Sequence, residues 1–185
     1  MDLIEGLMST RAMRRYTDQP VSEADVVTCL RAALQAPSGG NIQPWQFLVV
    51  TDTEKRRLLG EIYNRAYFRY EAAMLPTVPP FRDEANKASF ERTVAASRHL
   101  AEHMGEAPVI LLFLMPSISM TLSDEDGDLD VGTPYASLYP AVQNFMLAAR
   151  ALGLGTALTT VPRIYRDEVR GLCEIPDRLG LPALV

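Results

Sequence analysis

The feature that most constrains the fold is an uninterrupted apolar run from Val109 to Met115, directly after Pro108. A strand whose side chains are apolar on both faces must be covered on both faces, as a central strand of a sheet is. The run is also far shorter than the roughly 20 residues that a helix needs to cross a bilayer. The sequence therefore predicts a buried central strand and no membrane partner.

Other patterns along the chain predict helices and further strands around this run. Helical spacing predicts helices near the start of the chain, after Ser22, after Thr53, over 83–104, after Thr133 and over 165–172. Apolar runs predict strands over 47–50, 154–161 and 181–185. The predicted apolar face of the helix after Thr53 comprises Leu58, Leu59, Ile62, Ala66 and Tyr70.

The composition is typical of one acidic globular domain. A length of 185 residues fits a single domain over 1–185, with a variable helical and proline-rich excursion at about 67–104. The net charge of -5 gives no general attraction to nucleic acid. Cys29 and Cys173 form neither a CxxC pair nor a metal-ligand spacing, and the N-terminus lacks a signal-peptide pattern. A cytoplasmic protein is therefore expected.

Three arginines stand close together near the N-terminus of this acidic chain. Arg11, Arg14 and Arg15 follow the first predicted helix in a loop or short extended stretch. Guanidinium groups in such a cluster suit a phosphate or an electron-rich ring. The alternative is a solvated basic loop whose arginines pair with nearby Asp and Glu side chains.

A second segment, 36–45, combines two glycines, a serine hydroxyl, an amide pair and Trp45. The glycines permit close approach of the backbone, so a planar ligand could lie on this turn. The alternative is a helix stop followed by a turn and a tryptophan that covers the core.

Two weaker patterns suggest metal binding, and neither is complete. The acidic stretch 123–130 resembles a calcium loop in composition, but its glycine comes too early and no glutamate closes the frame. His99 and His103 lie four residues apart without a third ligand, so a solvated helix face is the favoured interpretation. No metal is expected.

Three stretches carry a resemblance to a known family. They are Thr-Arg-Ala-Met-Arg-Arg-Tyr at 10–16, Ala-Pro-Ser-Gly-Gly-Asn-Ile-Gln-Pro-Trp-Gln-Phe at 36–47, and Gln-Asn-Phe-Met-Leu-Ala-Ala-Arg-Ala-Leu-Gly-Leu-Gly-Thr at 143–156. In this order they resemble the nitroreductase family. The resemblance implies an α+β fold of three layers, α-β-α, with a central mixed, mainly antiparallel sheet flanked by helices, in an intertwined homodimer.

The resemblance also implies an FMN site at the dimer interface. Arg11 is the candidate for the phosphate and Arg14 for the pyrimidine edge of the ring, although the family commonly has Arg-Arg-Ser where this chain has Thr10-Arg11-Ala12. The glycine turn would be lent by the partner subunit, and the end of the strand before Val161 would lie beside the ring. The implied cofactor-binding residues are Thr10, Arg11, Ala12, Met13, Arg14, Arg15, Pro37, Ser38, Gly39, Asn41, Gln43, Ala157, Leu158, Thr159 and Thr160.

The implied activity is FMN-dependent electron transfer from NADH or NADPH to a nitroaromatic, quinone or enone by a ping-pong mechanism, without a catalytic side chain. Alternatives are a specialised relative, such as a reductive dehalogenase or a flavin-cleaving enzyme, and a non-catalytic flavin-binding protein. Relatives continue past the strand that begins at Leu181 with a Gly-Tyr-Pro turn and a basic arm. That C-terminal arm is expected to be missing from this chain.

Overall fold

A computed structural model describes residues 2–117 and 122–185 of the protein. The α-helices within these ranges are α1 (Leu3–Ser9), α2 (Glu23–Ala33), α3 (Thr53–Met74), α4 (Glu84–His103), α5 (Tyr139–Ala151) and α6 (Arg166–Leu172). The strands are β1 (Gln46–Val50), β2 (Ile110–Pro116), β3 (Leu122–Asp124), β4 (Gly127–Leu129) and β5 (Leu179–Leu184). None of these helices is both long enough and apolar enough to cross a membrane.

The predicted central strand is confirmed as β2. It pairs antiparallel with β1 on one side and with β5 on the other, in the order β1-β2-β5. Phe47 of β1 lies opposite Phe113, and the pairing with β5 shifts register between Phe113 and Met115. Every β2 side chain from Ile110 to Met115 is buried.

Helices cover both faces of this sheet. Successive side chains of β2 point to opposite faces, so neighbouring residues belong to two different cores. Leu112 and Leu114 belong to a core that includes residues of α3, α4 and α6. Leu111 and Phe113 belong to a second core, shared with α2 and α5. The implied three-layer α+β architecture is therefore confirmed.

Side chains of the preceding residues fix where several helices begin. An oxygen at the N-cap position satisfies a backbone N–H that has no partner inside the helix. Ser22 accepts from the backbone N–H of Asp25, as the sequence predicts for the start of α2. The same arrangement begins α1, α3 and α4, where the caps are Asp2, Asp52 and Asp83.

One sequence prediction about secondary structure is wrong. Residues 154–161 do not form a strand, because they pair through single bridges with two different neighbours before a 3-10 helix begins at Val161. The acidic stretch 123–130 lies largely in the β3–β4 hairpin, whose residues are exposed.

The core-facing side of α3 also differs from its prediction. Tyr70 is exposed, whereas Tyr63 and Tyr67 are buried. Leu59, Ile62 and Ala66 are buried as expected. The buried face of α3 therefore carries phenol hydroxyls into the interior.

Candidate functional site

The arginine-rich segment 10–16 is held beside residues 153–160, which places two of the predicted site segments together. The Met13 backbone N–H donates to the Thr156 carbonyl oxygen at 2.8 Å, and Ala12 and Thr156 form a parallel bridge. Gly155 makes this approach possible, since a Cβ atom there would lie 3.0 Å from Met13 Cβ. The two segments therefore lie in contact within one chain.

The three arginines of this segment have no carboxylate partner in the part of the chain that the structure describes. Among residues 2–117 and 122–185, no ion pair involves Arg11, Arg14 or Arg15. Arg11 Nη1 donates to the carbonyl oxygen of Thr10 at 2.7 Å, and Arg15 Nη1 lies 3.2 Å from His99 Nδ1. In the described structure these arginines therefore do not pair with Asp or Glu side chains, which was the alternative interpretation of the sequence.

Arg14 lies in the most enclosed part of this cluster. Desolvation and, to a lesser extent, Tyr63 raise the pKa of Tyr16 to about 12, against the lowering effect of the Arg14 charge. Burial likewise raises the pKa of Tyr63, against the effects of the Thr159 hydroxyl and of Arg14. The charge of the half-buried Arg14 therefore acts on both phenols, and the Thr159 hydroxyl acts on Tyr63.

A cavity of about 320 Å³ adjoins the same segments. Met13, Arg15 and Tyr16 line one part of it, and residues 153–157 line another. Ligand sites are commonly concave and mostly apolar, with a few polar groups that fix orientation. This cavity has that character, because apolar core residues of α2 and α5 complete its lining.

The glycine turn at 36–45 has an unusual backbone. Gly40, Asn41 and Gln43 all have positive φ, at 58°, 55° and 45°. For residues other than glycine this conformation costs free energy and is often found at functional sites. Hydrogen bonds hold the turn: Gln43 N donates to Ser38 Oγ at 3.1 Å, and Gln43 Nε2 donates to Asn41 Oδ1 at 2.9 Å.

The turn is supported from the start of the α5 region rather than from the arginine segment. Gly39 N donates to Ser137 Oγ at 3.1 Å across 98 residues of sequence. Within the described residues, no hydrogen bond joins the turn to segment 10–16. Pro37, Gly39, Asn41 and Gln43 are exposed, so the single chain does not bring its own turn onto its own arginines by hydrogen bonding.

Trp45 is a core residue and not part of a ligand-binding surface. Its side chain is buried in the core shared with α2 and α5. It therefore covers the core and is not a wall for a ligand.

Sequence reasoning missed Tyr63 and Ser137. Tyr63 belongs to the buried helical face of α3 and reaches the surroundings of Arg14 and Thr159. Its spacing from Leu59 and Ala66, four and three residues away, could have placed it on that face. Ser137 offered no such signal, because its contact with Gly39 depends on the tertiary fold.

Comparison with known proteins adds evidence from outside the chain. The model of the nitroreductase family matches residues 7–184. An NADH dehydrogenase of Thermus thermophilus is 26% identical over 209 residues, covering 100% of this chain and 85% of that protein. A nitrobenzene nitroreductase of Ectopseudomonas oleovorans is 27% identical over 187 residues, covering 90% of this chain and 77% of that protein.

A solved structure shares the fold. It is an iodotyrosine deiodinase bound to FMN and 3-iodo-L-tyrosine, with a TM-score of 0.72 and 24% identity. The match covers 99% of this chain and 86% of the deiodinase chain.

The contact between Gly155 and Met13 can be tested by substitution. Gly155→Ala should lower the free energy of unfolding by about 1–2 kcal/mol, because the new methyl group overpacks against Met13 Cβ and Cγ. Denaturant titration measures this loss. In a Met13→Gly background the same substitution should cost much less, since both contacting atoms are gone. Equal losses in the two backgrounds would contradict the close approach.

Proposed function

The chain belongs to the nitroreductase family, and from this we propose that it is an FMN-dependent oxidoreductase that uses NADH or NADPH to reduce a small, electron-poor acceptor. Membership of the family supports an oxidoreductase activity. The names of two relatives, an NADH dehydrogenase and a nitrobenzene nitroreductase, support the donor and the acceptor class. The FMN held by the deiodinase of the same fold supports the cofactor.

The observation that carries the proposal is a cluster of three arginines, Arg11, Arg14 and Arg15, that has no carboxylate partner among the described residues and of which Arg15 lines the cavity. Other arginines of the chain, such as Arg57 and Arg65, pair with the carboxylates of Glu54 and Glu168. Arg11 and Arg14 instead keep their charge available for an anion. Arg11, which is exposed, suits the FMN phosphate, and the half-buried Arg14 suits the pyrimidine edge of the ring.

The residues around Arg14 can orient such a ring by donating hydrogen bonds. The backbone N–H groups of Leu158 and Thr160 have no acceptor within the described residues, so they are free to donate to a ring nitrogen or oxygen. The phenols of Tyr16 and Tyr63 are protonated at neutral pH, as phenols ordinarily are, and desolvation raises the pKa of each further. The Arg14 guanidinium would stabilise negative charge at the ring edge.

The flavin, when bound, would supply the electron chemistry, accepting a hydride from the nicotinamide and passing electrons to the acceptor. The role of the chain is to bind the ring, orient it and set its potential. This division of labour requires no nucleophilic side chain.

We further propose that the site is completed by a second copy of the chain. The glycine turn is exposed, and four apolar side chains of α1 are 47–72% exposed, namely Leu3, Ile4, Leu7 and Met8. An exposed apolar stripe of this kind marks an interaction surface. The turn, with Pro37, Ser38, Gly39, Asn41 and Gln43, would then close over the ring bound by the partner.

Rapid mixing of the FMN-loaded protein with NADH or NADPH under anaerobic conditions tests the proposed activity. We expect the yellow absorbance to bleach, and to return when a nitroaromatic, quinone or enone is added in a second mixing step. Initial-rate plots at varied donor and acceptor should be parallel, as a ping-pong mechanism requires. Bound flavin that neither nicotinamide reduces would contradict an enzymatic role and favour a non-catalytic flavoprotein.

Replacement of Arg14 tests the placement of the ring. Arg14→Ala should lower the two-electron midpoint potential of bound FMN by at least about 30 mV, equivalent to ~1.4 kcal/mol, because a cation that stabilises the reduced ring is lost. Potentiometric titration with a reference dye measures the shift. Arg31→Ala, on the exposed side of α2, is the matched control and should leave the potential unchanged. An unaltered potential in Arg14→Ala with FMN still bound would exclude this role.

A further inference from the structure

Arg15 points from the arginine segment towards the C-terminal end of α4. Its Nη1 atom lies 3.2 Å from Nδ1 of His99, across 84 residues of sequence. The segment is thus anchored twice, by the Met13–Thr156 hydrogen bond on one side and by the Arg15–His99 contact on the other. Arg14 lies between these two anchors.

The contacts of the two histidines indicate whether Nδ1 of each ring accepts or donates a hydrogen bond. A guanidinium can only donate, so His99 Nδ1 must present a lone pair and its ring is neutral, with the proton on Nε2. His103 Nδ1 lies 2.8 Å from the His99 carbonyl oxygen, which can only accept, so that nitrogen carries a proton. The two rings stack with centroids 4.0 Å apart and an interplanar angle of 21°.

The surroundings favour this neutral state of His99. Desolvation is the largest cause that lowers the pKa of His99 below its usual value of 6.5, followed by the charge of Arg15 and by His103. Glu102 and Glu106 act in the opposite direction and are outweighed. The contact with Arg15 is therefore intact at neutral pH and is lost as the pH falls below about 6.5 towards the lowered value.

We propose that His99 is a positioning residue of the flavin site: its neutral ring holds Arg15 and thereby the segment that carries Arg14, and its protonation releases that segment and weakens FMN binding. The inference rests on the proposed function. Protonation would place a hydrogen on Nδ1 against a guanidinium that offers only donors. Acid thereby removes one of the two anchors, and a less ordered segment must then be ordered at the moment of binding.

The first experiment measures FMN affinity by flavin fluorescence from pH 8 to pH 5 in the wild type, His99→Gln, His99→Phe and His103→Gln. The FMN phosphate itself takes up a proton near pH 6, so every protein should lose some affinity in acid. The wild type and His103→Gln should lose about threefold to tenfold more than this shared loss, the size expected for one hydrogen bond.

The two substitutions of His99 separate its roles. The amide oxygen of His99→Gln can accept from Arg15 and does not titrate, so this variant should keep its neutral-pH affinity without the extra loss in acid. His99→Phe offers no acceptor and should bind about threefold to tenfold more weakly already at pH 8. An extra acid loss that persists in His99→Gln, or wild-type affinity in His99→Phe at pH 8, would overturn the inference.

A second measurement does not use FMN. The pKa of His99 in the flavin-free protein, followed by imidazole resonances in NMR, should rise in Arg15→Gln, because a neighbouring positive charge is removed. An unchanged pKa would overturn the inference even if FMN binds. If the pKa of His99 rises in Arg15→Gln but the wild type does not bind FMN at any pH, the result would instead refute the proposed function, and with it the role of His99 in the flavin site.

Discussion

The fold depends on the burial of β2 on both faces. A strand with no polar side chain from Ile110 to Met115 cannot lie at a surface, so one helical layer must cover each face. A series of backbone pairings connects this strand to the candidate site. β5 pairs with β2, Thr159 bridges to Leu184 of β5, and Thr156 bridges to Ala12. The arginine segment therefore lies where the sheet passes into irregular structure.

This position explains how an acidic chain keeps a local positive site. The net charge is -5, and many of its arginines and lysines outside the segment pair with carboxylates. Segment 10–16 instead packs against backbone carbonyls, phenols and one imidazole, none of which carries negative charge at neutral pH. An anion that enters therefore meets guanidinium charges that need not first leave a partner.

Patterns that depend on local sequence were predictable. The run from Val109 to Met115 gave β2, the Ser22 hydroxyl marked the start of α2, and the prolines after Met74 marked the end of α3. The stretch 154–161 was wrongly predicted to be a strand, because its apolar composition does not reveal that it pairs with its neighbours only through single-residue bridges. A strand needs a continuous neighbour, which is a property of the tertiary structure.

The candidate site was predictable only in part, because some of its residues are recognised by local motifs and others only by tertiary contacts. Motif order brought out the arginine segment and the glycine turn, and both have the exposure or backbone geometry that a binding role requires. Tyr63, Ser137 and His99 join them only through contacts that span 84 to 98 residues or cross from α3. Single-sequence patterns do not encode such pairings, so the contacts of these residues with the site emerged from the structure alone.

The central claim is that guanidinium groups of one chain and the glycine turn of a second copy hold one flavin. Sedimentation velocity of the protein with a slight deficit of FMN, followed at the flavin absorption band, tests it most directly. The account predicts that the yellow boundary moves with the mass of two chains and that no flavin travels with a single chain. Flavin that sediments with one chain, or that remains free beside a protein boundary of any mass, would contradict it.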